Sequence, residues 1–117
     1  MKVLIVEKDR QISQSLSFFI EDQMKCKVMI ADSKKEGEFL YNSSSFDMVI
    51  CGEPLPDGEA LELLKGWMNQ NPKLISILMT VKSDEHLKQE ALKAGISGYL
   101  VKPFNLKQLE EIIRLPR

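Results

Sequence analysis

The strongest constraint on the fold is a regular alternation of two kinds of segment along the chain. One kind is short, apolar and rich in β-branched residues: Val3-Leu4-Ile5-Val6, Val28-Met29-Ile30-Ala31, Met48-Val49-Ile50-Cys51, Ile75-Ser76-Ile77-Leu78-Met79 and Tyr99-Leu100-Val101. Apolar runs of this length fit strands covered on both faces, as in a parallel sheet. The other kind has helical spacing. Ile12, Leu16, Phe19 and Ile20 recur on one helix face, with Asp9 placed to cap it. Ser33 and Glu36 form a capping box ahead of Phe39 and Leu40. Leu61, Leu64 and Met68 mark a third helix, which Asn71-Pro72 stops. Ser83 is placed to cap a fourth that carries Leu87, Ala91 and Ala94 and closes at Gly95. Asn105 caps the last, with Leu106, Leu109, Ile112 and Ile113 facing inward.

Five βα units in strict order predict one doubly wound α/β domain over residues 1–117, a parallel sheet with right-handed crossovers and helices on both faces. In such a fold the chemistry gathers at the carboxyl ends of the strands. The positions to weigh are therefore Glu7, Lys8, Asp32, Gly52, Glu53, Thr80 and Lys102.

Composition narrows the function. A formal net charge of -1 lacks the basic excess of a nucleic-acid-binding surface. No apolar run approaches the roughly 20 residues of a membrane span. The opening residues turn charged too soon for a signal peptide, which points to a cytoplasmic protein. Cys26 and Cys51 sit in apolar stretches without metal-ligand spacing and read as buried free thiols. There is no glycine-rich phosphate loop, and no nucleophile with a base at recognisable spacing. An enzyme is not expected, and neither is a cofactor. His86 falls on an exposed helix face and reads as inert; the six methionines and Trp67 read as packing residues.

Three stretches carry a family resemblance: Leu4-Ile5-Val6 running into Glu7, the segment Leu55-Pro56-Asp57-Gly58 through Leu64, and above all the run from Ala94 to Phe104, AGISGYLVKPF. In order and at family spacing, they resemble the receiver domains of two-component response regulators over the whole chain. The resemblance implies a flavodoxin-like sheet of order 2-1-3-4-5 and a cis peptide between Lys102 and Pro103. In that family two adjacent acids after the first strand and an aspartate after the third hold magnesium, and that aspartate accepts phosphate. A hydroxyl after the fourth strand and a lysine before proline contact the phosphoryl group. Carried over, these roles fall on Glu7, Lys8, Gly52, Thr80 and Lys102, with Tyr99 as the switch aromatic.

Two positions depart from the pattern. Gly52 offers no nucleophile, and Lys8 puts an ammonium where a metal-binding carboxylate belongs. One carboxylate then faces two ammonium groups, where the family has three carboxylates and one lysine. Magnesium asks for oxygen ligands, so no metal is expected. Glu53 is the nearest substitute acceptor but lies one residue late, on the opposite strand face. Asp57 reads as a turn residue. For Lys8 two readings stay open, a cation filling the metal position or a solvated side chain. Lys102 is expected to pair with Glu7.

The resulting expectation is an atypical receiver, a signalling module that works by protein contact without aspartyl phosphorylation. Its partners would be proteins of a bacterial signalling pathway, not nucleic acid or membrane, and the chain would be a monomer or weak homodimer. The alternatives are a receiver that takes phosphate on a non-standard acid, or the amino-terminal part of a longer DNA-binding transcription regulator. The resemblance implies a working face on the fourth helix, fifth strand and fifth helix: His86, Gln89, Lys93, Tyr99, Val101, Lys107, Glu110, Glu111 and Arg114.

Overall fold

The computed structural model describes residues 1–81 and 84–114. Its elements run β1 (Lys2–Val6), α1 (Arg10–Met24), β2 (Lys27–Ala31), α2 (Lys34–Ser43), β3 (Met48–Glu53), α3 (Ala60–Gln70), β4 (Ile75–Thr80), α4 (Glu85–Ala94), β5 (Gly98–Val101) and α5 (Leu106–Arg114). All strand pairs are parallel, in the expected order β2-β1-β3-β4-β5.

The period of two along each strand divides the core between the two faces of the sheet. Leu4, Val6, Val49, Cys51 and Leu78 pack with Leu61, Leu64 and Trp67 of α3 and Ala91 of α4. Val3, Ile5, Ile50, Ile77 and Met79 pack on the other face with Leu16 and Ile20 of α1 and Leu109 of α5. On the first face Tyr41 stacks on Trp67 with ring centroids 4.4 Å apart. Leu106, expected to face inward, is 37% exposed because it opens onto a groove between α1 and the β5–α5 connection.

The helix starts follow their capping residues closely. The Asp9 carboxylate accepts from the backbone N–H of Gln11 and Ile12. At α2 the Ser33 hydroxyl accepts from the N–H of Glu36, while the Glu36 carboxylate reaches back to the N–H of Asp32, one residue earlier than a regular capping box. At α5 the box is reciprocal, with Asn105 accepting from the Gln108 N–H and Gln108 accepting from the Asn105 N–H. The cap of α4 is Asp84, which accepts from the N–H of His86 and Leu87. This corrects the assignment to Ser83, which lies outside the described residues. Gly95 closes α4 at φ 91°, a left-handed conformation that glycine adopts without steric cost.

Candidate functional site

The carboxyl ends of β1, β3, β4 and β5 meet over one edge of the sheet. Strand β3 continues past Cys51 through Gly52 and Glu53, because its pairing with β4 extends to Met79 and Thr80. Gly52 is therefore part of the strand and not of the loop after it. Glu7, immediately beyond β1, is 1% exposed. Its Oε1 lies 2.6 Å from the Nζ of Lys102, whose side chain is 10% exposed. Its Oε2 accepts a hydrogen bond of 2.8 Å from the N–H of Asp9. The expected Lys102–Glu7 pair is thus present, and both carboxylate oxygens are engaged.

Position 52 has little room. A Cβ built on Gly52 would lie 2.0 Å from Oε1 of Glu7, 2.9 Å from its Cδ and 3.4 Å from Nζ of Lys102. The Glu7 carboxylate therefore occupies the space in which a side chain at 52 would begin. Thr80 is buried at the end of β4, beside this cluster through its carbonyl, which accepts from the Lys102 N–H at 2.6 Å. The peptide between Lys102 and Pro103 is cis, as the resemblance implies, and so is that between Glu53 and Pro54, which nothing in the sequence signalled.

Lys8 resolves toward the solvated reading. It is exposed at the rim of a polar groove shared with Glu7, Arg10, Asp32 and Glu36, and no ion pair of Lys8 occurs among the described residues. Glu53 does more than face solvent: its carboxylate accepts from the N–H of Ala60 at 2.8 Å. It thereby caps α3 across the loop, where the residue flanking the helix, Glu59, makes no side-chain cap. Asp57 does more than form a turn. It reaches across to α2 and accepts from the N–H groups of Lys34 and Lys35 at 2.7 and 2.9 Å. Those backbone donors, Lys35 first, hold its carboxyl below the ordinary aspartate range. The sequence carried no signal for either cap, because each acceptor lies outside the helix it serves.

Cys51 is fully buried next to Gly52. Burial, followed by the charges of Glu53 and Glu7, pushes its thiol far up, so it stays protonated and is no nucleophile. Cys26 is only half-buried, against the expectation of two buried thiols; both cysteines are free. Among the described residues no group of three or more His, Cys, Asp or Glu side chains could hold a metal ion.

Tyr99 is half-buried on β5 and its hydroxyl is shielded from solvent without a hydrogen-bond partner among the described residues. Burial is the largest influence on its pKa and raises it. Around it the expected face is polar. His86, Gln89, Lys93, Lys107, Glu111 and Arg114 are exposed, while Val101 and Glu110 are half-buried. His86 bonds Glu90 at 3.0 Å and Arg114 approaches Glu110 at 3.7 Å. Both are exposed pairs within one helix, of the kind that contribute little to stability.

A doubly wound fold with this strand order, and a buried Lys102–Glu7 pair at the carboxyl ends of β1 and β5, is that of a receiver-type domain. The response regulator receiver domain family matches residues 3–114, and the chain belongs to it. It is 30% identical over 115 residues to the transcriptional regulatory protein PmrA of Pectobacterium parmentieri, covering 97% of this chain and 51% of that protein. It is 29% identical to the transcriptional regulatory protein PhoP of Escherichia coli, covering 93% of this chain and 48% of that protein. The chain thus spans about half the length of these curated relatives. Among solved structures it resembles the non-phosphorylated receiver domain of HemR from Leptospira biflexa (TM-score 0.87, 28% identity, covering 99% of this chain and 96% of that one). It also resembles a CheY-like receiver domain protein from Methanospirillum hungatei (TM-score 0.86, 29% identity, covering 97% and 90%). No described helix is long and apolar enough to cross a membrane.

Proposed function

We propose that this receiver signals by protein contact without aspartyl phosphorylation. The observation that carries the reading is the 2.0 Å approach of Glu7 Oε1 to the place of a Cβ on Gly52. At the acceptor position there is neither a nucleophile nor room for one while Glu7 pairs with Lys102. The donor set also fails to suit magnesium. Neither Gly52 nor Lys8 supplies an oxygen ligand, and both oxygens of Glu7 are already engaged.

Substitute acceptors are occupied as well. Glu53 caps α3, Asp57 caps α2 and Asp9 caps α1. A carboxylate that leaves such a role for phosphate gives up charge-assisted bonds to backbone donors. This favours the phosphorylation-free reading over a receiver with a non-standard acceptor. The similar proteins PmrA and PhoP are transcriptional regulatory proteins, which supports a chain that forms the receiver part of a longer regulator of that kind. In that setting it acts in the cytoplasm, through protein partners, on the face around Tyr99.

The test is to incubate the chain with a small phosphodonor and magnesium and weigh it intact. The expected spectrum is unchanged. An added phosphoryl group of substantial occupancy, mapped to any acidic side chain, would refute the proposal.

A further inference from the structure

We infer that Glu7 is a built-in occupant of the pocket: its carboxylate fills the space of a side chain at position 52 and serves as the negative partner of Lys102, so that position 52 must be glycine for the pocket to close. This rests on the reading of the pocket as phosphorylation-free, and goes further by assigning Glu7 a positioning role and Gly52 a steric one.

Backbone conformation does not explain a glycine here. Among the described glycines only Gly95 has a positive φ, and Gly52 pairs in regular parallel register with Met79 of β4, one residue past the end of the β1 pairing at Cys51. Glycine weakens a strand interior and marks places where another group approaches closely. The group that approaches is identified by distance: Oε1 of Glu7 at 2.0 Å from the built Cβ, with Nζ of Lys102 next at 3.4 Å. No backbone atom obstructs the position, so a larger residue meets the carboxylate first and must displace it.

Displacement is opposed on both sides. Oε1 is held by Lys102 and Oε2 by the N–H of Asp9. The carboxylate is fully enclosed, and a buried carboxylate separated from its donors loses heavily. Glu7 joins the end of β1 to the β5–α5 connection, 95 residues away in sequence. Lys102 directly follows β5, which carries Tyr99. In this arrangement the carboxylate that orients Lys102 is a permanent part of the chain. The pocket holds one state without an added group, and the connection between β5 and α5 is set from within.

The experiment is a thermodynamic cycle of Gly52→Ala and Glu7→Ala on the 117-residue chain, read by urea unfolding. In the wild-type background Gly52→Ala should lower the folding equilibrium constant about tenfold or more, or ~1.4 kcal/mol. In the Glu7→Ala background the same change should be neutral or favourable, since alanine suits a strand better than glycine. Equal effects of Gly52→Ala in both backgrounds would overturn the inference. Amide NMR shifts provide a second measurement should a variant fold poorly. Gly52→Ala alone must move the Asp9 amide, which donates to Glu7, and the Lys102 amide; unchanged positions for both would also overturn it. Phosphoryl transfer to the wild-type chain would instead defeat the reading on which the inference rests, and the cycle separates that failure from this one.

Discussion

Lys102→Met is the most informative single change, because it removes the cation from an enclosed pair while keeping most of the side-chain volume. At 2.6 Å and an effective dielectric of ~20, the Coulomb attraction is about 6 kcal/mol. Desolvation of both charges offsets much of that, so the pair as a whole contributes far less. Removing one partner is a different matter, because it leaves Glu7 charged at 1% exposure. Breaking a buried pair in this way costs about 3–5 kcal/mol. For a domain whose total stability is about 5–15 kcal/mol, that is a large fraction. With a urea slope near 2 kcal/mol per molar, the unfolding midpoint should fall by about 2 M. Glu7→Gln with Lys102→Met removes both charges, and should recover a substantial part of the loss. The assay is equilibrium urea unfolding followed by far-UV circular dichroism. A loss below about 1 kcal/mol, the range of an exposed pair, or a double variant no more stable than Lys102→Met alone, would refute the picture of an enclosed and mutually dependent pair.

Other substitutions address the remaining parts of the site. Gly52→Asp alone should leave magnesium affinity low, whereas Gly52→Asp with Lys8→Asp should bind magnesium measurably by calorimetry; equal affinities would mean that Lys8 is irrelevant to the metal position. Asp57→Asn should fray the start of α2, seen as faster amide exchange at Lys34 and Lys35. The carboxyl of Asp57 is held below its ordinary value by those N–H groups, so its contribution is complete above the unfolded aspartate value of about 3.9 and is lost as the pH falls through the lowered value. The Asn variant should lack that acid-limb dependence. Tyr99→Ala with Lys93→Ala should weaken self-association or partner binding, and in the wild type neither should respond to phosphodonor when followed by light scattering or calorimetry.

Much of this molecule was determined locally. The five strands follow from short continuous apolar runs and the five helices from 3.6-residue spacing, and the caps at Asp9, Ser33 and Asn105 follow from residues adjacent to the helices they serve. Strand order and the pairing of Lys102 with Glu7 are legible only through the family resemblance, since spacing alone cannot say which strands become neighbours. Tertiary structure decided the rest. Only the folded chain brings Asp57 to the start of α2, Glu53 to the start of α3, and Glu7 into the space beside Gly52. It also places Lys8 at an exposed rim and assigns the α4 cap to Asp84. Periodicity reports which face of an element is apolar, because that depends on near neighbours in the chain. It is silent on which carboxylate meets which N–H across the sheet edge, because that is set by strand register and loop path, which bring together groups as far apart as 95 residues.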